Sequence, residues 1–169
     1  MLSQSKIFLI GMPGSGKSSV GRILATKLEI LFIDLDTEIE TDNGRTISQI
    51  FNDQGEVFFR KLESETFQDL IINKTSFVLA TGGGTPCFYD GIKQMNSVGK
   101  TIFLETSLDN LLLRVSRTSI RPILGINYQE ALKELLVNRR ECYQQANLIL
   151  NTDNLVVGAI ADKISHLIN

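Results

Sequence analysis

The 169-residue chain has two cysteines, one histidine and almost no surplus of either charge, and each scarcity removes a class of function. Cys87 and Cys142 stand far apart with no CxxC spacing, which argues against a disulfide framework or a zinc site and leaves both as expected packing residues. The single histidine, His166, lies outside every motif and receives no catalytic role. Basic residues number 17 and acidic residues 19, a formal net charge of −2, so the broad cationic face that nucleic-acid binding needs is missing and any anion site must be local. The apolar run KIFLI at 6–10 meets Gly11 at once, follows no basic leader and is far shorter than a membrane span. A cytoplasmic protein that enters no membrane is the expectation. There is no internal repeat, no low-complexity tract and no linker, so one domain over 1–169 is expected.

Apolar residues make up 43% of the chain and charged residues 21%, which is ordinary globular usage. Nearly continuous apolar runs recur at 6–10 (KIFLI), 30–36 (ILFIDLD), 76–81 (SFVLAT), 100–105 (KTIFLE) and 146–151 (ANLILN). Strands buried on both faces of a parallel sheet read this way. Helical period lies between them, in Val20, Ile23, Leu24 and Leu28 and again in Leu108, Leu111, Leu112 and Val115. The pattern predicts an α/β fold with a parallel sheet covered by helices. Residues 37–73 and the polar stretch 116–127 break the simple alternation and are candidate functional insertions. Small size and the lack of an apolar surplus make a monomer the expectation. The C-terminal helix carrying Val156, Ile160, Ile164 and Leu167 is expected to pack on the sheet.

The chemistry begins with GMPGSGKSS at 11–19, which sits between the first apolar run and the first helical pattern. It fits G-x-x-x-x-G-K-[ST] in the context that motif requires. Glycines at Gly14 and Gly16 let the backbone curl so that successive amides, with those of Ser15 and Ser19, face a polyphosphate at a helix N-terminus. Lys17 supplies a cation to the outer phosphates, and the Ser18 hydroxyl is placed to ligate Mg²⁺. A guanine-specific GTPase is a poor fit, because the nearest approach to its N-K-x-D signature, Asn73-Lys74-Thr75-Ser76, lacks the aspartate.

At the end of the second run, Asp34 and Asp36 are predicted to share one side of an extended chain, beside the phosphate loop. One carboxylate can hold metal-bound water and the other can take the proton of an attacking hydroxyl; helix capping by Asp36 is the competing reading. Gly82, Gly83 and Gly84 at the end of the third run let a ligand approach the backbone. In GEVFFRKLE at 55–63, Glu56, Arg60 and Glu63 fall on one helix face, where carboxylates can orient a guanidinium; a surface salt-bridge stripe is the alternative.

Taken together, GMPGSGKSS, the DLD at 34–36, GEVFFRKLE, TGGG at 81–84, RTSIRPIL at 117–124 and RRECY at 139–143 resemble the shikimate kinase family over nearly the whole chain. The resemblance implies a three-layer P-loop kinase fold with a five-stranded parallel sheet, a substrate-binding insertion at about 37–63 and a lid at about 116–127. It implies ATP as co-substrate with Mg²⁺, held through Ser18 and Asp34, and transfer to the 3-hydroxyl of shikimate with Asp36 as base. Arg60 and Arg139 would hold the substrate carboxylate, Gly82 and Gly83 would belong to the same substrate site, and Phe51 and Phe59 would form its apolar walls. Arg139 is preferred to Arg140 because the family arginine lies four residues before a tyrosine, here Tyr143. Arg121, before Pro122, corresponds to the lid arginine that reaches the transferring phosphoryl group; Arg114 corresponds to the arginine that packs on adenine, with Arg117 as its rival. The stretch Asn151-Thr152-Asp153-Asn154 departs from the family pattern in lacking a proline, which touches the adenine contacts alone. Gluconate kinase would share the phosphate loop but need not have the two arginines, and the presence of Lys17, Ser18, Asp34, Asp36 and Arg121 argues against a regulatory module that binds nucleotide without catalysis.

Overall fold

The computed structural model describes residues 5–116 and 127–168. Within them the apolar runs become the strands β1 (Lys6–Ile10), β2 (Leu31–Asp34), β3 (Phe77–Ala80), β4 (Lys100–Glu105) and β5 (Leu148–Asn151). All pair in parallel, in the order β2-β3-β1-β4-β5. Parallel neighbours cannot be joined by tight hairpins, so helices make the crossovers. Between the strands lie α1 (Lys17–Leu28), α2 (Leu35–Asn43), α3 (Ile47–Asn73), α4 (Gly91–Val98), α5 (Leu108–Val115) and α6 (Tyr128–Tyr143), and α7 (Val157–Ile168) follows β5.

Successive strand residues point to opposite faces, and this alternation divides the interior into two cores. Phe8 and Ile10 of β1 join Phe77, Leu79 and Phe103 beneath residues of α3 and α6. Ile7 and Leu9 join Val78, Ile102 and Leu104 beneath α1 and α7. The three-layer α/β architecture with helices on both faces therefore follows from strands that must be apolar on both sides. Among the described residues no helix is long and apolar enough to cross a membrane.

Residues 37–73 form α2 and α3. Helix α3 opens on a capping box in which the Thr46 hydroxyl accepts from the Gln49 amide and the Gln49 side chain accepts from the Thr46 amide. It breaks at Gly55, whose φ of 81° no helical residue adopts, so Glu56 starts a second helical run aimed in a new direction. After the break, Phe59, Arg60 and Glu63 are buried.

Three expectations need correction. Strand β2 ends at Asp34 and α2 begins at Leu35, so Asp36 occupies the first turn of a helix and does not share an extended chain with Asp34. The capping role belongs to Asp34, whose carboxylate accepts from the Thr37 amide, and not to Asp36. In α7 the packed face is Ile160, Ala161 and Ile164, against α1 and the sheet, whereas Val156 and Leu167 are exposed. The proposed lid lies outside the described residues apart from its flanks at Ser116 and Asn127.

Phe8 is fully buried and meets Phe67 and Phe77 edge-on, with ring centroids 5.8 and 5.7 Å apart. Phe8→Ala removes a large ring from the centre of the sheet and should cost about 3–5 kcal/mol in urea unfolding. A loss under about 1 kcal/mol, the scale of a surface change, would contradict this packing.

Candidate active site

The phosphate loop takes its shape from three glycines with positive φ, Gly11 at 145°, Gly14 at 83° and Gly16 at 94°. A Cβ at Gly14 would also be crowded, 3.2 Å from Val115 Cγ2. Helix α1 follows Gly16 with no side-chain cap and no acidic residue in its first turn. Its leading amides are therefore donors that no side chain caps, at the positive end of the helix dipole. The Ser15 hydroxyl is buried with no hydrogen-bond partner among the described residues. An orphan hydroxyl and an uncapped helix start on the same loop are what a polyphosphate would satisfy, so these residues fit the triphosphate of ATP.

Lys17 Nζ donates to the carbonyls of Gly11 and Met12, both at 2.9 Å. Burial at the floor of the cleft pulls its pKa down to about 8 against the opposing pull of Asp36. Ser18 Oγ donates to Asp34 Oδ2 at 2.5 Å, bringing together the two residues expected to hold Mg²⁺. Among the described residues there is no cluster of three or more His, Cys, Asp or Glu that could cage a metal by itself. Two hard oxygen donors beside a phosphate site suit Mg²⁺, which keeps several waters and takes its remaining ligands from substrate phosphates.

Asp36 faces the cleft, open to solvent on that side and walled by protein on the others. Loss of water, followed by the negative charges of Glu63 and Asp34, pushes its pKa up to about 6, with Lys17 opposing. Two groups with pKa values displaced toward neutrality thus stand together on one cleft of about 520 Å³.

Across that cleft the Arg60 guanidinium is held on both edges. Nη1 donates to Glu63 Oε2 at 2.8 Å, and Nε and Nη2 both reach Glu56 Oε1 at 3.3 Å. Glu63 also accepts from Thr85 Oγ1 at 2.7 Å. The Arg60 and Glu63 side chains retain only 10% and 2% of their exposure, so the surface-stripe alternative fails. The Phe88, Phe59 and Phe51 rings surround the guanidinium carbon at 4.6, 5.2 and 5.9 Å. Phe51 and Phe59 pack on each other with centroids 4.5 Å apart and line the cleft.

The glycines after β3 are where these side chains converge. A Cβ on Gly82 would collide with Glu63 Oε1, one on Gly83 would lie 2.8 Å from Arg139 Nη1, and one on Gly84 would lie 2.5 Å from Arg60 Nη1. Each glycine thus makes room for one charged group. Arg139 lines the cleft while Arg140 is exposed, which favours the choice between them made from sequence. Arg114 Nη1 donates to the Gly14 carbonyl at 3.2 Å, at the nucleotide end of the loop. Arg121 and its neighbour Arg117 lie outside the described residues.

Sequence reasoning counted Glu63 only as a partner for Arg60 and gave Tyr143 no role. Glu63 is a buried junction joining Arg60, Thr85 and the field at Asp36, and Tyr143 Oη donates to the Gly83 carbonyl at 2.6 Å. The spacing of Glu63 three residues after Arg60 was a signal for the first; for Tyr143 there was only its place after Arg139. The two cysteines, far apart in sequence, are neighbours in the fold, and hydrogen bonding to Cys142 together with burial pushes the Cys87 thiol far up.

A phosphate loop that faces an acid of raised pKa, with two arginines beyond it, belongs to a P-loop phosphotransferase acting on a small anionic acceptor. Residues 13–169 match the family model described as shikimate kinase, and the chain belongs to the shikimate kinase family. It is 38% identical to a shikimate kinase of Persephonella marina over 147 residues, 87% of this chain and 88% of that one. It is 37% identical to one from a Sulfurihydrogenibium species, over 94% of both chains. Among solved structures it superposes on the shikimate kinase of Acinetobacter baumannii in complex with shikimate, with a TM-score of 0.91 and 36% identity over 97% of this chain and 92% of that one. The enzyme of Bacteroides thetaiotaomicron gives a TM-score of 0.89 at 35% identity, over 97% and 98% of the two chains.

Gly84→Ala tests the steric argument. The new methyl group must displace Arg60, so the Michaelis constant for an anionic acceptor should rise about tenfold or more while that for ATP changes little. Unchanged acceptor kinetics would show that Arg60 has other room to move.

Proposed function

We propose that the chain transfers the γ-phosphoryl group of ATP to the 3-hydroxyl of shikimate, giving shikimate 3-phosphate and ADP on the route to chorismate and the aromatic amino acids. The observation that carries this reading is the pair of arginines, Arg60 and Arg139, on the cleft that also holds Lys17 and Asp36. A carboxylated acceptor would be clamped at one end by planar cations and would present a hydroxyl to Asp36 at the other. Mg²⁺ bound with ATP would offset charge on the phosphate oxygens, its place being beside Ser18 Oγ and Asp34.

In this reading Asp36 acts as the base. Its pKa of about 6 leaves it ionised at neutral pH yet close enough to the working range to accept a proton efficiently. As the acceptor oxygen bonds to phosphorus and ADP leaves, the hydroxyl proton passes to Asp36. Lys17 then needs to exchange its two carbonyl partners for phosphate oxygens, where its positive charge meets charge developing toward ADP. Gly82 and Gly83 leave their backbone open to the ring hydroxyls, and Phe51 and Phe59 exclude water from its apolar face. Arg114 takes the adenine side, and Arg121 in the lid at about 116–127 reaches the transferring group. The same reading takes the chain as one kinase domain that acts as a monomer in the cytoplasm. Its support is that large exposed apolar residues are dispersed, Val57 and Ile72 near opposite ends of the second run of α3 and Val156 just before α7.

The experiment is Mg²⁺-dependent ADP release from ATP with shikimate, with gluconate and with no acceptor. Turnover with shikimate alone is expected; turnover with gluconate, or hydrolysis independent of acceptor, would overturn the substrate assignment while keeping the phosphate loop.

The pH profile follows from the two displaced groups. The active form needs Asp36 ionised and Lys17 charged, so kcat/KM for shikimate should rise with pH through about 6 and fall above about 8. A profile flat across the lower limb would remove Asp36 as the base.

A further inference from the structure

The two glutamates that pair with Arg60 differ in kind. Glu56 keeps 59% of its side-chain exposure and stands 3.3 Å away, so water competes for it. Glu63 keeps 2% and stands 2.8 Å away, which makes it the carboxylate that fixes the guanidinium. A buried carboxylate must itself be held, because an oxygen left without a donor is costly there. Glu63 Oε2 is on Arg60, and Oε1 accepts from Thr85 Oγ1 at 2.7 Å. We propose that Thr85 is a positioning residue for the acceptor: its hydroxyl fixes the rotation of the Glu63 carboxylate and, through it, the direction in which Arg60 meets the substrate carboxylate. The inference rests on the function proposed above.

Thr85 is itself held from several sides. It begins a 3₁₀ turn, Thr85–Cys87, directly after the glycine run. Its amide donates to the Gly82 carbonyl at 3.2 Å, and the Cys87 amide donates to the Gly84 carbonyl at 2.8 Å. The side chain is buried and β-branched, so its rotation about χ1 is restricted. The chain then bends through Tyr89 and Asp90, both with positive φ, and brings Gly91 so close to the Thr85 carbonyl that a Cβ there would collide with it. The same bend follows Phe88, whose ring centroid lies 4.6 Å from the Arg60 guanidinium carbon. One short segment therefore touches both members of the ion pair, Glu63 through Thr85 and Arg60 through Phe88.

Thr85 is not among the residues that line the cleft, so its influence on an acceptor must pass through Glu63. The bond lies against the Gly82 backbone: a Cβ there would collide with Glu63 Oε1 and lie 3.0 Å from Thr85 Oγ1. Among the described residues no other donor reaches Glu63 Oε1. Without the hydroxyl, the carboxylate is free to turn and the Arg60 fork keeps only the exposed Glu56 as a fixed partner.

The test compares the wild type with Thr85→Ser, Thr85→Val and Thr85→Ala by steady-state kinetics, with thermal unfolding as the check on the fold. Ser keeps the hydroxyl and loses a methyl group; Val keeps the branched shape and loses the hydroxyl. A positioning role predicts Thr85→Ser within about twofold of the wild type in every constant. It predicts Thr85→Val with a Michaelis constant for shikimate about tenfold higher, while kcat and the Michaelis constant for ATP move less than about twofold, as loss of a hydrogen bond to a charged group on the acceptor side requires. A packing role predicts the reverse order, Val close to the wild type and Ser impaired; that order, or an equal loss for ATP and shikimate, would overturn the proposal. Should Thr85→Val not fold, Ala and Ser make the same comparison, since both are smaller than threonine and differ by the hydroxyl. A higher shikimate constant for Ala than for Ser then supports the role, and equal constants overturn it. If the wild type phosphorylates a different anionic acceptor, the proposed function fails alone, and the Ser and Val variants assayed on that acceptor still decide the role of Thr85. Hydrolysis of ATP by the wild type with no dependence on any acceptor would overturn both.

Discussion

The architecture of the cleft depends on one steric constraint, the absence of side chains at three successive positions after β3. Glu63, Arg139 and Arg60 approach Gly82, Gly83 and Gly84 closely enough that a methyl group at any of them would overlap or crowd a charged atom. The charged groups come from two separate elements, α3 and α6, and the glycine run is the surface on which they meet. Its backbone is fixed in turn: Thr81 bonds to the Leu9 carbonyl through both its amide and its hydroxyl, and the Gly83 carbonyl accepts from Tyr143. A rigid floor with no side chains allows charges from distant parts of the chain to be set within reach of one small molecule.

Charge balance explains why such a cluster is tolerated. Lys17 lowers what burial raises at Asp36, and Asp36 raises what burial lowers at Lys17. Glu63 compensates Arg60 and at the same time pushes Asp36 upward. The site is therefore a set of partly satisfied charges in which the remaining imbalance has a use: a cation at Arg139 for the acceptor and uncapped amides for the phosphates. Strain and incomplete pairing at such places are where a fold gives up stability for binding.

The sheet and its covering helices were legible because doubly buried strands leave continuous apolar runs, and all five strands fall within the runs, β1 and β4 over the full length and the other three with their ends trimmed. The phosphate loop was legible because its spacing and its flanks carry one mechanism. The paired carboxylates were misread in detail: Asp34-Leu35-Asp36 ends a run that reads as strand, but Asp34 caps a helix and so ends β2 two residues early. The strand pattern was outweighed there by a side chain satisfying an amide of the helix's first turn. Glu63 was legible as a charge on a helix face but not as a buried one, because burial depends on the break at Gly55 and on Thr85 arriving from beyond β3. Tyr143 could not be read from spacing at all, since its partner Gly83 lies 60 residues away. Contacts of that range are made by topology, and local pattern carries no trace of them.

The central claim is the orientation of the acceptor, carboxylate toward Arg60 and Arg139 and reacting hydroxyl toward Asp36. Diffraction from crystals grown with shikimate, ADP and Mg²⁺ tests it most directly. The account predicts the 3-hydroxyl within hydrogen-bond reach of an Asp36 carboxylate oxygen, about 2.6–3.2 Å, with both arginines on the carboxylate. A substrate bound the other way round, or one that leaves Arg139 turned toward solvent, would contradict it.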